Sequence, residues 1–302
     1  LLLDLLQWGC QDPGQLTWLD APPVTNLVAA QTLLRQLNAL DGQNKLTPVG
    51  QKMANLGNEP RLAAMLVNAK DADQQATAAR LVAILEEPPR GQDSDLRNAF
   101  SRRQENWQQR SSQLLKRLNS RGGDAGFSLA APLLAQAFPD RIARRRGLDG
   151  RYQLANGMGA MLNQDDPLTR YEWLLAPLLL QGSHTPDARI LQAIPLDIES
   201  LTLQCPALLT ESDTVEWDET QGTLKAFRRT QIGKLVVKVQ PLAKPSEDEL
   251  HQAMLNGIRE KGLSVLNWSA HAQQLRTRLV CAAKWLPELK WPDVSDEALL
   301  RD

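Results

Sequence analysis

The chain has 302 residues, of which 42% are apolar and 23% charged, and its formal net charge is −1. This composition is typical of a folded globular protein of two to four domains and excludes a disordered chain. The longest strongly apolar run, about Trp173 to Leu180, is far shorter than the roughly 20 residues that cross a bilayer, so we predict no membrane contact. Three widely separated cysteines predict a reducing, cytoplasmic location without a disulfide framework. Leu1 is not methionine and lies in a predicted helix, so we expect a piece of a longer protein.

The positive charges are concentrated in one part of the sequence. Residues 97–151 contain twelve Arg or Lys residues and four Asp or Glu residues, a net charge of +8, so the remaining residues carry −9. Five of these arginines lie in the stretch FPDRIARRRGLDGR, residues 138–151. Such an asymmetry indicates a local polyanionic partner rather than a generally adhesive surface.

The first predicted domain, residues 1–58, has the outline of a winged helix. After WLDAPP, Thr25 is a candidate cap for a helix with apolar residues at helical spacing. Asp41-Gly42 predicts a turn, and Thr47-Pro48 begins a helix that Gly57 ends.

Residues 59–137 are predicted to form a helical bundle, with helices from about Arg61 to Lys70 and from about Asp73 to Glu86. A long helix is predicted from about Ser94 to Asn119, and a shorter one follows it. Phe100, Trp107 and Leu114 recur every seven residues in the long helix and predict its buried seam.

Arginines recur at the same interval on a neighbouring edge of this helix: Arg103, Arg110 and Arg117. One interpretation is that their aliphatic stems cover the seam while the charged ends stay in water. The other is a basic rail that faces a nucleic-acid channel.

Residues 138–244 change to a strand pattern. Strands are predicted at 141–146, 151–154 continuing to 159–162, 171–180 and 189–194, then a helix at 196–203, then strands at 215–217, 224–229 and 235–240. The 215–217 and 224–229 strands are joined across DETQG. Strands, a helix and further strands are the order of an OB-fold barrel. Residues 245–302 are predicted to be helical again. The fold class is therefore multidomain α+β.

The sequence contains no recognisable catalytic motif. The G-x-x-x-x-G-K-[ST] phosphate loop does not occur, the three histidines have no partners at metal-ligand spacing, and no nucleophile motif is present. We therefore predict neither a catalytic site nor a cofactor or metal site in these residues, and interpret the arginines as binding groups. In a strand, Arg144 and Arg146 would share a face with Ile142, and Arg141 and Arg145 would lie on the other.

Two interpretations of these arginines are open. They pair with acidic residues across domain contacts, or they bind the phosphates of a single strand without reading its sequence. The candidate nucleic-acid contacts are Arg102, Arg103, Arg110, Arg141, Arg144, Arg145, Arg146 and Arg151. Phe138 and Tyr152 are the nearby candidates for stacking on bases.

The stretch WLDAPPVTNLVAAQTLLRQLNALDGQNKLTPVGQKMANLGNEPRLAAML resembles the winged-helix and helical-bundle segment of DEAH-box helicases, and FPDRIARRRGLDGRYQLANGMGAML resembles the bacterial HrpB type in particular. The resemblance covers essentially the whole chain. It implies a winged helix, a ratchet-like bundle, an OB-fold and the start of a C-terminal region peculiar to HrpB.

The resemblance further implies an accessory half of an ATP-dependent RNA helicase that guides single-stranded RNA or DNA. RecA-like motor domains would then bind ATP and Mg²⁺ and hydrolyse the ATP, and they would be partners of this half. The alternative is an autonomous winged-helix adaptor or regulator that contacts a protein or duplex DNA. A winged-helix regulator should have its bases on the winged helix, yet residues 20–57 contain only Arg35, Lys45 and Lys52, which weighs against that alternative.

Overall fold

A computed structural model describes residues 1–57, 59–91, 93–120, 122–147, 149–182, 185–218, 223–242, 246–263, 266 and 268–299. The chain forms two compact units, one of residues 1–210 with 231–237, the other of residues 211–230 with 238–302. Both helices and strands are present, which confirms a mixed α and β fold. Among the residues just given, no helix has both the length and the apolar character needed to cross a bilayer.

The first unit begins with helices. These are α1 (Leu2–Gln7), α2 (Val24–Gln36), α3 (Pro48–Leu56), α4 (Pro60–Asn68), α5 (Ala72–Glu86), α6 (Leu96–Ser101), α7 (Glu105–Arg117) and α8 (Ala130–Ala137). The Thr47 hydroxyl accepts from the Gly50 amide at 3.0 Å at the start of α3, and Gly57 ends the helix at φ 64°, as predicted. The other predicted cap is wrong, because α2 begins at Val24, with Pro23 at the cap position, and Thr25 lies in its first turn.

The predicted long helix is interrupted. Helix α6 ends at Ser101, Arg102 has an extended backbone at ψ 136°, and α7 begins at Glu105. The two helices have different neighbours, since Asp95 just before α6 bridges to Ala193 of a later strand while α7 packs along α5. One straight helix cannot meet both partners. The predicted seam is nevertheless buried, with Phe100, Trp107 and Leu114 at most 6% exposed.

Five strands close into a barrel after α8. They are β1 (Ile142–Arg145), β2 (Arg151–Leu154), β3 (Gly159–Met161), β4 (Trp173–Leu180) and β5 (Ala188–Pro195), in the order β1-β2-β3-β5-β4. Strand β1 pairs antiparallel with both β2 and β4, while β3 and β5 run parallel. Alternate residues fill the interior, among them Ala143, Tyr152 and Leu174, all fully buried.

The barrel is complete before helix α9 (Ile198–Gln204), so the expectation that strands after this helix belong to it is wrong. Those strands, β6 (Thr210–Asp218), β7 (Thr223–Ile232) and β8 (Leu235–Pro241), form a separate sheet in that order. The predicted DETQG connection falls on residues 219–222, outside the described residues. The β7–β8 turn touches the barrel at Gly233, where an added Cβ would lie 2.3 Å from the Ala155 carbonyl oxygen. A strand pattern shows where strands lie, but it does not identify their partners.

The described part of the second unit contains the helices α10 (Glu247–Lys261), α11 (Ala270–Trp285) and α12 (Asp296–Leu299). The predicted helices over 247–261 and 270–286 are thus present almost to the residue. Helix α11 has no buried residue. Its Arg276 donates from Nε to the Val294 carbonyl at 2.9 Å and lies 5.5 Å from the centre of the Trp268 ring.

A buried ion pair joins the helical bundle to the barrel within the first unit. Arg61 of α4 donates through Nη1 and Nη2 to the two carboxylate oxygens of Asp140, at 2.6 and 2.9 Å, and also to the Ala137 carbonyl at 3.1 Å. The Phe138 ring lies between Arg61 and Arg141, each 5.3 Å from its centre. The entry to β1 is thereby held against the first turn of α4.

We expect Arg61→Met to lower the free energy of unfolding by about 3–5 kcal/mol, because it leaves the Asp140 carboxylate buried without its partner. The double variant Arg61→Met, Asp140→Asn removes both charges and is expected to recover part of that loss. Arg117→Met is the control, since exposed Arg117 also donates to a carbonyl, that of Leu56 at 3.1 Å. Urea unfolding measures all three, and a double variant no more stable than Arg61→Met would contradict the argument.

Candidate nucleic-acid interface

Strand β1 places two of the candidate arginines on opposite faces. Arg144 is exposed: its Nε lies 3.0 Å from Glu172 Oε1, its Nη1 lies 3.0 Å from the Val236 carbonyl oxygen, and its guanidinium is 5.2 Å from the centre of the Trp173 ring. Arg145 is half-buried on the other face and donates through Nη1 to the Thr169 and Arg170 carbonyls at 3.1 and 3.2 Å. Both side chains are therefore fixed, but only Arg144 has a carboxylate partner.

Two further candidates flank the turn between β1 and β2: Arg146 follows β1, and Arg151 begins β2. The Arg146 amide donates to the Arg151 carbonyl at 2.8 Å, which brings these residues to the same end of the barrel. Both side chains are exposed, and neither makes a hydrogen bond or ion pair with another described residue. Asp149, which lies between them in the sequence, is also exposed. A pocket of about 450 Å³ opens here, lined by Arg144, Arg145, Arg146, Gly147, Gln153 and Glu172.

Sequence reasoning missed two neighbours of this pocket. Arg170 donates to the Tyr171 hydroxyl at 2.9 Å and lies 4.9 Å from the centre of that ring. Trp173 lies beneath the Arg144 guanidinium. No spacing rule relates residues 170–173 to residues 144–151, and only the pairing of β1 with β4 brings them together. We call Arg144, Arg145, Arg146, Arg151 and Arg170 the arginine end of the barrel.

The two aromatic residues that lie near the arginine cluster in the sequence, Phe138 and Tyr152, are buried. Tyr152 is inside the barrel, where its hydroxyl lies 3.1 and 2.9 Å from the carbonyl oxygens of Leu168 and Tyr171. Burial raises the pKa of its hydroxyl to about 12. Phe138 is 4% exposed between two guanidinium groups. Neither ring can stack on an incoming base.

Arg141 is not part of the exposed set. It lies in the turn before β1 rather than in the strand, and it donates to the Pro177 carbonyl. Burial lowers the pKa of its guanidinium, and the neighbouring Arg61 lowers it further. Its surroundings indicate a structural role.

The basic rail does not exist as one helical edge, because Arg103 lies in the break between α6 and α7. Arg110 on α7 donates to both oxygens of Glu86, at 2.6 and 2.8 Å, and hydrogen bonding to that carboxylate raises its pKa. Arg102 pairs with Asp93 at 3.0 Å. Among the described residues, the Arg103 side chain has no hydrogen-bond or carboxylate partner. Arg102 and Arg110 thus follow the acid-pairing interpretation, whereas Arg117 donates to the Leu56 carbonyl at 3.1 Å and Arg103 does neither with a described residue.

Two family descriptions match this sequence. Residues 30–57 match the winged-helix part of the helicase-associated domain HA2, and residues 208–242 match the connector region of the ATP-dependent RNA helicase HrpB. Over 300 residues, 99% of the chain, it is 71% identical to the ATP-dependent RNA helicase HrpB of Escherichia coli (strain K12). The similarity to HrpB therefore extends over nearly the whole chain. The chain spans 37% of the length of that relative.

Solved structures of HrpB show the same similarity. The crystal structure of the E. coli DExH-box NTPase HrpB matches with a TM-score of 0.80 at 71% identity, over 99% of this chain and 37% of that one. The E. coli DEAH/RHA helicase HrpB matches with a TM-score of 0.77 at 67% identity, over 99% and 38%. A shorter similarity, 32% identity over 87 residues, relates the chain to the pre-mRNA-splicing factor ATP-dependent RNA helicase prp22 of Schizosaccharomyces pombe (strain 972 / ATCC 24843). That match covers 29% of this chain and 7% of prp22.

The structure predicts that these arginines differ in their effect on stability. Arg141→Gln removes a guanidinium held against the Pro177 carbonyl and should lower the free energy of unfolding by about 1–3 kcal/mol. Arg146→Gln, its charge-matched control, should change it by no more than about 0.5 kcal/mol. Thermal unfolding of the two variants at neutral pH compares them, and equal losses would place Arg146 among the structural residues.

Proposed function

We propose that this chain is the accessory nucleic-acid-binding part of an ATP-dependent RNA helicase of the HrpB type. Its role is to guide a single strand while RecA-like motor domains, which bind ATP and Mg²⁺, hydrolyse ATP. The observation that carries the proposal is the 71% identity to E. coli HrpB across 99% of the chain. The exposed arginine end of the barrel supports the binding part of it.

The barrel is, in this proposal, an OB-fold. Its support is the closed order β1-β2-β3-β5-β4, in which β1 pairs with two strands and the short β3 runs parallel to β5. OB-folds bind oligonucleotides on a strand face and adjoining loops. The helices over residues 59–137 are proposed to be the ratchet-like bundle, and the domain bounds 1–58, 138–244 and 245–302 are likewise proposals.

The exposed guanidinium groups suit the backbone of a single strand. Arg146 and Arg151 have no carboxylate partner among the described residues, so a phosphate would bind them without first breaking an ion pair. Arg144 is positioned by Trp173 and Glu172 and would add a third contact. Contacts of this kind provide affinity that is independent of base sequence and falls with salt.

The winged-helix region offers a surface for the motor domains. Five large apolar residues are exposed between α1 and the first turns of α2: Trp8 at 81%, Leu16 at 41%, Leu19 at 101%, Val24 at 76% and Val28 at 55%. Single exposed apolar residues are ordinary on a surface, but five within about twenty residues of sequence support a contact with another protein. We propose that the motor domains of the same protein cover it.

The proposal is tested with the 302-residue chain and labelled 12-nucleotide single-stranded RNA, by fluorescence anisotropy at two salt concentrations. We expect binding that weakens with salt and a preference for the single strand over duplex DNA. Arg146→Glu, Arg151→Glu should weaken binding about tenfold or more and make the logarithmic salt dependence shallower by about 1.4, since each single-strand phosphate contact contributes about 0.7.

Lys45→Glu, Lys52→Glu is the matched control, because it reverses two exposed bases of the winged-helix region, as the test variant reverses two at the barrel. Its affinity should stay within about twofold of the parent chain. Preference for duplex DNA would favour the adaptor function instead. Equal weakening by the test variant and the control would remove the arginine end of the barrel from the proposal.

A further inference from the structure

The break between α6 and α7 brings together arginines from two parts of the bundle. Arg102 and Arg103 lie in the break itself. Arg80 of α5 reaches the same place, where its Nη2 donates to the Arg102 carbonyl at 3.3 Å and its guanidinium lies 4.6 Å from the centre of the Phe100 ring. Three arginines therefore meet at the break, one of which, Arg80, comes from outside the stretch in which sequence analysis found the cationic charge.

The acids near this break are already engaged. Asp93 accepts from Arg102 at 3.0 Å and, through its other oxygen, from Asn98 at 3.1 Å. Glu105, at the start of α7, accepts from the Gln109 amide at 3.2 Å. No carboxylate in the described part of the chain lies within ion-pair distance of Arg80 or Arg103.

The two unneutralised groups repel each other. The pKa of Arg80 is lowered first by its burial and then by the positive charge of Arg103. An anion held between them would relieve this repulsion, because it attracts both guanidinium groups at once. The planar fork of arginine is also suited to binding two oxygens of one phosphate.

A small cleft adjoins these residues. Its volume is about 210 Å³, and its lining includes Arg80, Arg102, Gln104, Trp107 and Gln108. It is smaller than the roughly 300–1,000 Å³ that ligand pockets usually occupy, so it suits a phosphate-sized group better than a whole nucleotide. The side-chain amides of Gln104 and Gln108 make no hydrogen bond with the described residues and remain available as donors.

We propose that Arg80 and Arg103 form a phosphate-binding site at the α6–α7 break, separate from the arginine end of the barrel. The phosphate belongs either to the backbone of single-stranded RNA, in which case the site rests on the proposed function, or to a free phosphate or pyrophosphate. Arg110, which pairs with Glu86, is not a member of the site.

The RNA source is tested with the 302-residue chain and the same labelled RNA. Arg103→Gln should weaken binding about fivefold or more and make the salt dependence shallower by about 0.7. Lys116→Gln removes one exposed charge about 16 Å from the start of α7. It should leave the affinity for RNA within about twofold of that of the parent chain. Arg80→Lys keeps the charge but loses the planar fork, so an RNA affinity between those of the parent chain and Arg103→Gln is expected. Lysine is chosen because Arg80→Gln would leave the Phe100 ring uncovered and could prevent folding.

The free-phosphate source is tested by calorimetric titration of pyrophosphate into the same variants. The site is supported if the parent chain binds pyrophosphate and this binding weakens at least fivefold in Arg103→Gln but not in Lys116→Gln. This holds even where RNA binding is unchanged. Arg103→Gln behaving like Lys116→Gln toward both ligands overturns it. If the parent chain does not bind RNA at all, the proposed function fails and the pyrophosphate comparison alone decides this site.

Discussion

The arrangement of the first unit depends on one buried guanidinium, that of Arg61. Its three hydrogen bonds, two to Asp140 and one to the Ala137 carbonyl, join the start of α4, the end of α8 and the turn into the barrel. An ion pair of this kind contributes little net stability, because taking both charges out of water offsets their attraction. Its contribution is geometric: with the carboxylate held on both oxygens, β1 enters the barrel in one orientation.

The arginines of the first unit consequently divide by environment rather than by residue type. Arg61 and Arg141 flank the Phe138 ring and are used by the fold, while Arg102, Arg110 and Arg144 are neutralised by carboxylates. Within the described residues, the uncommitted positive charge that remains at the break is that of Arg80 and Arg103, and at the barrel it is that of Arg146 and Arg151. A net charge of +8 over residues 97–151 therefore overstates what a polyanion would meet.

Much of the local structure could be predicted from the sequence. Phe100, Trp107 and Leu114 are buried as their spacing predicts, because a heptad period reports which face is apolar. The same period could not reveal the break at Arg102, since no proline or glycine marks it, and the contact between Asp95 and Ala193 just before α6 joins residues far apart in the chain. The candidate site shows the same limit. Arg141 and Arg146 are alike in sequence, and what separates them is the Pro177 carbonyl, 36 residues away.

The spacing of the uncommitted charges bears on how a strand would move through such a protein. At physiological salt a charge acts over about 8 Å, so a phosphate at one group of arginines is largely screened from a group several nucleotides away. Contacts made in separate groups can then be released one at a time, each at a small cost, whereas one continuous rail would release all its phosphates together. The ion pairs of Arg102 and Arg110 interrupt such a rail, which favours stepwise release of a guided strand over tight storage of it.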